Sequence, residues 1–336
     1  MVRYGDSTSP RTVIKLLASY VHQNDTNVPL ILNFNFGAAY RTDGLDIVVT
    51  TAAGALVPRT VSPKGDGTYA IYFREPAQTT SGGGTTLFVQ WGGSTVNVAN
   101  DLTTWQNCHG STDDYVLVVH GEETSANLAD ESGNITLTDS NVSYSQTGKI
   151  IKCPYFNGTD ANSITNSSIQ ARSLYCWVYV KDKSISQKIL SQREVDVGNI
   201  RQTISVMSGR LGVSFYVGSG LYNHRSMAIN NDTWYHVAVK NDGATANTIK
   251  LYINGVEETD TTHVLSTASS VGFALGSGID DSNFFDGYID EVRGFRGQLT
   301  ENQCKTQYDN QRLFDTNGSF NISIGTNIHY NRRRFK

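Results

Sequence analysis

Short apolar–polar alternations of period two recur along the chain between clusters of turn-forming residues, the pattern of antiparallel strands. The clearest run is Ile249-Lys-Leu-Tyr-Ile-Asn-Gly255, where Ile249, Leu251 and Ile253 fall on one face and Lys250, Tyr252 and Asn254 on the other. Asn254-Gly255 tolerates positive φ at both positions, as a type I′ hairpin turn requires. Upstream, Asp232-Thr-Trp-Tyr-His-Val-Ala-Val239 places Tyr235, Val237 and Val239 on an apolar face. Downstream, Phe285-Asp-Gly-Tyr-Ile-Asp-Glu-Val-Arg293 reads as a third strand. Simple alternation there predicts that Tyr288, Asp290 and Val292 share a face.

The N-terminal part predicts strand after strand, at residues 13–21, 28–36, 45–50, 69–73 and 86–91. Leu30, Leu32, Phe34 and Phe36 alternate on one face, and Pro29 suits a strand start or an edge. Turn signals recur at the spacing of an all-β sandwich or barrel. The polar stretch 97–114, broken by Trp105, reads as a linker. Strands are expected again at 115–121, 155–158 and 173–180, and a hairpin at 204–217 turns at Ser208-Gly209. Thr300-Glu-Asn-Gln303 is a capping box, so a short helix should run to about Asn310 with Cys304 and Tyr308 on one face. A strand-like lead-in at 320–324 precedes the basic end, Arg332, Arg333, Arg334 and Lys336.

At 336 residues the chain is long enough for two domains with a core in each. Only 17% is charged, so the surface must be largely neutral Ser, Thr, Asn and Gly. A formal net charge of −4 argues against a nucleic-acid binder driven by phosphate contacts. No apolar run reaches the ~18 residues of a membrane span. The first residues lack an apolar signal-peptide core, so no secretory leader is expected. Cys108, Cys153, Cys176 and Cys304 form no Cys-x-x-Cys pair, which argues for buried free thiols rather than zinc.

The three central runs together resemble the laminin-G-like, concanavalin-A-like jelly-roll family: a Trp-aromatic-His-Val-Ala-Val strand, a Leu-Tyr-aliphatic-Asn-Gly hairpin and an Asp-Gly-x-Ile-Asp-Glu-Val-Arg strand. The strand at 115–121 with its Asp130-Glu-Ser-Gly-Asn134 loop is similar to the start of that family. Thr42-Asp-Gly-Leu-Asp-Ile47 and Thr86-Leu-Phe-Val-Gln-Trp-Gly92 resemble an uncharacterised β-module often found before such a domain. The resemblance implies an all-β chain of two antiparallel β-sandwich domains, the second a laminin-G-like jelly roll with a short C-terminal helix. The expected boundaries are 1–107, 108–316 and a C-terminal arm, 317–336.

The fold family covers carbohydrate binders, adhesion modules and enzymes, so function must come from sites. Some β-glucanases of the related fold carry two catalytic acids on one strand. Here Glu194-Val-Asp-Val-Gly-Asn199 supplies the first two acids, Glu194 and Asp196, but Gly and Asn stand where the partner carboxylate belongs. No enzyme is therefore expected. Many family members hold a structural calcium with an acid in the last strand and loop oxygens, which implies Asp290 with Asp130; calcium wants six to eight oxygens. Tyr216, Tyr222, Asn223 and His224, around Gly218-Ser-Gly220, are candidate sugar ligands, since rings stack on sugar C–H faces and Asn or His can bond hydroxyls. His236 belongs to the family strand pattern and reads as structural. Asp280-Asp281 and Glu257-Glu258 read as solvated turns.

The resulting expectation is a non-enzymatic structural or adhesion component of a phage or virus particle, assembled in host cytoplasm. Its lectin-like domain would bind a host-surface glycan or protein. The C-terminal arm would dock on other virion subunits in an oligomeric assembly, its strand-like lead-in adding to a partner's sheet edge. The alternative is an extracellular or cell-surface bacterial carbohydrate-binding or adhesion module of a secreted protein.

Overall fold

The computed structural model describes residues 11–35, 41–92, 97–111, 113–165, 167, 171–194, 200–217, 220–241, 249–258, 270–312 and 322–324. The chain divides into two compact units, Met1–Asp113 with Asp309–Lys336, and Asp114–Tyr308. Both are built from antiparallel strands.

In the first unit the strands are β1 (Arg11–Leu16), β2 (Asp25–Asn35), β3 (Val48–Thr51), β4 (Leu56–Val57), β5 (Arg59–Pro63), β6 (Thr68–Thr79), β7 (Gly83–Gly84) and β8 (Leu87–Gln90). In the second they are β9 (Tyr115–Val119), β10 (Thr138–Ser140), β11 (Ser143–Thr147), β12 (Lys152–Asn157), β13 (Asn162–Thr165), β14 (Ser173–Val180), β15 (Gln187–Glu194) and β16 (Ile200–Met207). That unit continues with β17 (Arg210–Val217), β18 (Gly220–Ala228), β19 (Trp234–Asn241), β20 (Ile249–Ile253), β21 (Val256–Glu257), β22 (Ser270–Leu275) and β23 (Asp286–Phe295). Helix α1 (Glu301–Gln311) and β24 (Ile322–Ile324) are the last of the described elements.

The first unit packs a sheet ordered β24-β1-β8-β3-β4 with a second ordered β2-β6-β5, on which β7 pairs with β6. Alternate residues of both sheets meet in one core, among them Ile14, Leu16, Leu30, Leu32, Ile71, Phe73, Leu87 and Val89. β2 is an edge strand, which accommodates Pro29. Residues 97–111 are not the loose linker that their polarity predicts. Leu102–Trp105 forms a 3-10 turn whose Trp105 ring is buried 6.0 Å from Tyr72, and His109 Nδ1 lies 2.9 Å from Asp25 Oδ2. The strand-like lead-in of the arm pairs with β1 of its own chain, Ile14 opposite Ile324 and Leu16 opposite Ile322. The basic end lies outside the described residues.

The second unit is a sandwich of two sheets. One runs β10-β13-β22-β15-β16-β17-β18, the other β11-β12-β23-β14-β19-β20-β21, with β9 also on β23. Their facing sides share one apolar core, in which Leu174, Cys176, Val178 and Val180 of β14 meet Leu190, Ile204, Val213 and Phe273. Tyr235, Val237, Val239, Ile249, Leu251 and Ile253 point into that core as their alternation predicts. The hairpin turns at Ser208-Gly209 and Asn254-Gly255 have positive φ at both residues. The capping box forms: Thr300 Oγ1 accepts from the Gln303 N–H at 3.1 Å and Gln303 Oε1 from the Thr300 N–H at 2.8 Å.

β23 departs from simple alternation. Glu291 adopts φ 51°, and the register with β14 shifts by a bulge between Tyr175/Arg293 and Trp177/Asp290. The extra residue flips everything after it. Ile289 and Val292 enter the core, while Tyr288, Asp290 and Arg293 lie on the outer face with Tyr179, Trp177 and Tyr175 of β14. Val292 therefore does not share the face of Asp290.

Candidate functional site

β14 carries Ser173-Leu-Tyr-Cys-Trp-Val-Tyr-Val180, so its core face is aliphatic and its outer face is Tyr175, Trp177 and Tyr179. Neighbouring strands align aromatic residues with each of these. In one row, Tyr155 of β12 pairs with Tyr288 of β23, Tyr288 with Tyr179 of β14, and Tyr179 with Trp234 of β19. Four rings thus stand side by side across four adjacent strands. At about 4.8 Å per strand the row spans roughly 14 Å. Ring centroids are 5.2 Å apart for Tyr155–Tyr288, 5.4 Å for Tyr179–Tyr288 and 5.5 Å for Tyr179–Trp234, with tilted or edge-on geometry.

All four rings are half-buried. The next row is covered: Tyr308 of α1 lies 5.8 Å from both Trp177 and His236. Charged groups edge the aromatic row. Lys181 Nζ sits 4.4 Å from the Tyr155 ring centre and 5.7 Å from that of Tyr288. The Tyr155 hydroxyl donates to Asp286 Oδ1 at 2.9 Å. Burial and that hydrogen bond raise the Tyr155 phenol above its ordinary value. The Tyr179 phenol is raised as well, first by burial and then by Asp232. Both remain neutral hydroxyls at physiological pH, with ring faces and O–H groups presented together.

Beyond these rows the outer face becomes a sealed polar network. Glu291 Oε1 lies 2.8 Å from His120 Nδ1, and Glu291 Oε2 accepts from Arg293 Nη2 at 2.6 Å. Arg293 also reaches the Tyr175 hydroxyl at 3.5 Å, which itself donates to the Tyr115 hydroxyl at 3.0 Å. Glu291 and Arg293 are 0% and 1% exposed, so the network braces the bulge and offers no access to a substrate. His236 is buried among the rings of Tyr175, Trp177 and Tyr308. Burial, then the Arg293 charge, lowers it to about 3, so it is a neutral packing group.

Of the six residues singled out from sequence, those whose side chains are described do not converge. Tyr222 pairs by register with Phe215 and Tyr216 with Leu221, but their side chains lie outside the described residues. Asn223 is exposed and its Oδ1 accepts from Ser214 Oγ at 2.6 Å. His224, the next residue, points to the other face, where its ring stacks on buried Phe215 at 5.0 Å. Neighbours in a strand cannot share a face, so this pair is split.

The acids expected to hold calcium do not fit that ion. Asp130 accepts backbone N–H bonds from Val118, Ser132, Asn134 and Ile135 at 2.8–3.0 Å and the Ser132 hydroxyl. N–H donors surround it where a cation needs oxygens. Asp290 Oδ2 accepts from the Ile150 N–H at 2.7 Å beneath the Gly148 backbone. Burial, then the Glu291 charge, raises the Asp290 carboxyl well above its ordinary range. Among the described residues, no three His, Cys, Asp or Glu side chains lie close enough to hold a metal.

Glu194 ends β15, and residues 195–199, with Asp196, lie outside the described residues. Asp280, in an exposed turn, pairs with Lys188 at 3.1 Å, whereas Glu257 is not a solvated turn residue: it lies half-buried in β21 and pairs with Lys250 at 2.7 Å. The aromatic row was missed from sequence, although Tyr175, Trp177 and Tyr179 at every second position announce an aromatic outer face. Its other members stand far apart in the chain, so only strand register unites them.

Residues 155–305 match a laminin-G family model of the Concanavalin A-like lectin/glucanases superfamily. The two-sheet sandwich of the second unit is thus a lectin-like jelly roll. No curated protein matches the sequence. Among solved structures, domain 4 of an extracellular GH43 arabinanase from Geobacillus stearothermophilus, in complex with arabinotriose, aligns with TM-score 0.47 and 25% identity over 58% of this chain and 98% of that one. The receptor binding domain of botulinum neurotoxin type G aligns with TM-score 0.48 and 17% identity over 59% of this chain and 51% of that one. The serotype D ligand binding domain in complex with N-acetylneuraminic acid aligns with TM-score 0.45 and 16% identity over 59% and 51%.

Proposed function

We propose that Asp114–Tyr308 is a non-catalytic glycan-binding domain, and that the chain is an adhesion or structural component of a phage or virus particle that presents it. The aromatic row carries the binding reading. Half-exposed rings offer flat faces to sugar C–H groups, while Lys181, Asp286 and the tyrosine hydroxyls can exchange hydrogen bonds with sugar hydroxyls. The buried acids support binding over turnover. A hydrolase needs a carboxyl pair open to substrate, and Asp290 and Glu291 are buried beneath the sheet's outer face.

Four free, buried cysteines suit a chain that folds in a reducing cytoplasm before acting elsewhere. That supports the particle reading, with several copies in one assembly. The competing reading is a carbohydrate-binding module of a secreted bacterial protein, with which the lectin-like match at residues 155–305 is equally compatible. Peptides of this chain in purified particles support the first; their presence in particle-free culture medium supports the second.

The binding test is a glycan array probed with the wild type and Trp234→Ala. By analogy with base–aromatic stacking, one lost ring costs about 1–3 kcal/mol, so roughly tenfold weaker binding or more is expected. A variant that folds and binds every wild-type ligand equally well would remove the row from the site.

A further inference from the structure

A cavity of ≈ 510 Å³ opens in the second unit on the β10-β13 side of the other sheet. β10 and β13 pair with Thr138 opposite Ile164 and Ser140 opposite Asn162. Ser163 and Thr165 pair with the core residues Leu275 and Phe273, so Asn162 and Ile164 face away from the core. Asp160, from the turn before β13, and Asp281 with Phe284, from the loop before β23, complete the wall.

This wall is held in place before any ligand arrives. Asn162 is 6% exposed, and its Nδ2 donates to Asp281 Oδ1 at 2.8 Å. Asp160 accepts from Asn157 Nδ2 at 2.7 Å and from Asn141 Nδ2 at 3.0 Å. The volume lies within the ~300–1,000 Å³ range of small-molecule sites.

The lining selects a ligand class. Among the described residues, Ile164 and Phe284 are its only apolar members, and no Lys or Arg belongs to it. An anion would meet several carboxylates, and an apolar molecule would strip water from hydroxyls and amides without replacing their hydrogen bonds. A neutral ligand rich in hydroxyls, with one small C–H face to set against Phe284, satisfies both constraints. We infer that this cavity is a second saccharide subsite that takes an uncharged sugar end, on a different sheet from the aromatic row. It rests on the glycan-binding reading and adds a second contact point. Two contacts on one domain would raise avidity for a branched or multivalent glycan surface.

The test is calorimetric titration of the full chain with maltotriose, cellotriose, mannotriose and, as a cationic probe, spermidine. The wild type is compared with Asp281→Ala, Phe284→Ala and Trp234→Ala. Asp281 is exposed and Phe284 half-buried, both in a loop, so the core is spared. About tenfold weaker binding of one neutral trisaccharide by Asp281→Ala and by Phe284→Ala, with both variants still folded at the assay temperature, is the expected result. Loss in Trp234→Ala alone overturns the second subsite and leaves the row standing. No trisaccharide binding to the wild type removes the glycan reading itself. Spermidine binding abolished by Asp281→Ala assigns the cavity to cations and overturns the inference. Hydrogen exchange on the wild type serves if either loop variant unfolds: saturating trisaccharide should slow exchange at 138–140 and 281–284, and unchanged rates there refute the subsite.

Discussion

Glu75 ends the core face of β6, following Tyr69, Ile71 and Phe73, and it is 1% exposed. One carboxylate oxygen accepts the Thr85 N–H, and the Gly84 backbone lies against the other. Burial dominates, pushing the carboxyl up from 4.5 to about 7, while the Thr85 hydrogen bonds and the Lys15 charge pull the other way. The folded chain holds this proton more tightly than the unfolded chain. The resulting stabilisation is complete below pH 4.5 and disappears as the pH rises to about 7. Glu75→Gln keeps the shape and lacks the charge. Its stability advantage over the wild type should grow between pH 5 and pH 8, by about 3 kcal/mol at most. Urea midpoints of both proteins at the two pH values measure this, and an identical gap at both would refute it.

Strands were legible where one face is apolar, and their faces were legible where no bulge interrupts the period of two. The faces of β14, β19 and β20 follow from alternation alone. The bulge at Glu291 was not legible: a glutamate with positive φ carries no compositional mark, and one inserted residue reverses the assignment of all that follow. The surroundings of Asp130 were illegible for a related reason. Asp130 followed by Ser-Gly-Asn looks the same in sequence whether its oxygens face a cation or backbone N–H groups. Close approaches between elements are equally silent. Gly276, just after β22, has φ 75°, and a Cβ there would stand 2.0 Å from Cδ1 of the buried Phe156 ring. Gly276→Ala combines a left-handed backbone penalty of about 1–2 kcal/mol with overpacking of about 1–3 kcal/mol. Gly54, in the β3–β4 turn, also has positive φ, but a Cβ there meets nothing within 4 Å. Gly54→Ala should therefore cost only the backbone part. Equal losses in chemical denaturation would show that Phe156 yields freely.

The chain closes on itself: β24, in its last fifteen residues, lies beside β1, which belongs to its first twenty. Pairing of this kind is invisible to sequence, since Ile322–Ile324 would extend any free sheet edge equally well. Its energetic share is modest. Each backbone hydrogen bond nets about 1 kcal/mol, and only three residue pairs are in register. Ending the chain after Arg312 would leave β1 as the edge of its sheet, with unpaired N–H and C=O groups toward solvent. Amide exchange at residues 14–16 should then accelerate, and the first unit should lose a few degrees of melting temperature. Glycan affinity should not change, because the aromatic row belongs wholly to Asp114–Tyr308. An exposed edge also invites pairing between copies, so light scattering should detect self-association in the shortened chain at high concentration. Unaltered exchange at 14–16 would mean that β24 does not hold this edge in solution, and the arm would then be free for a neighbouring subunit, as the sequence alone had implied.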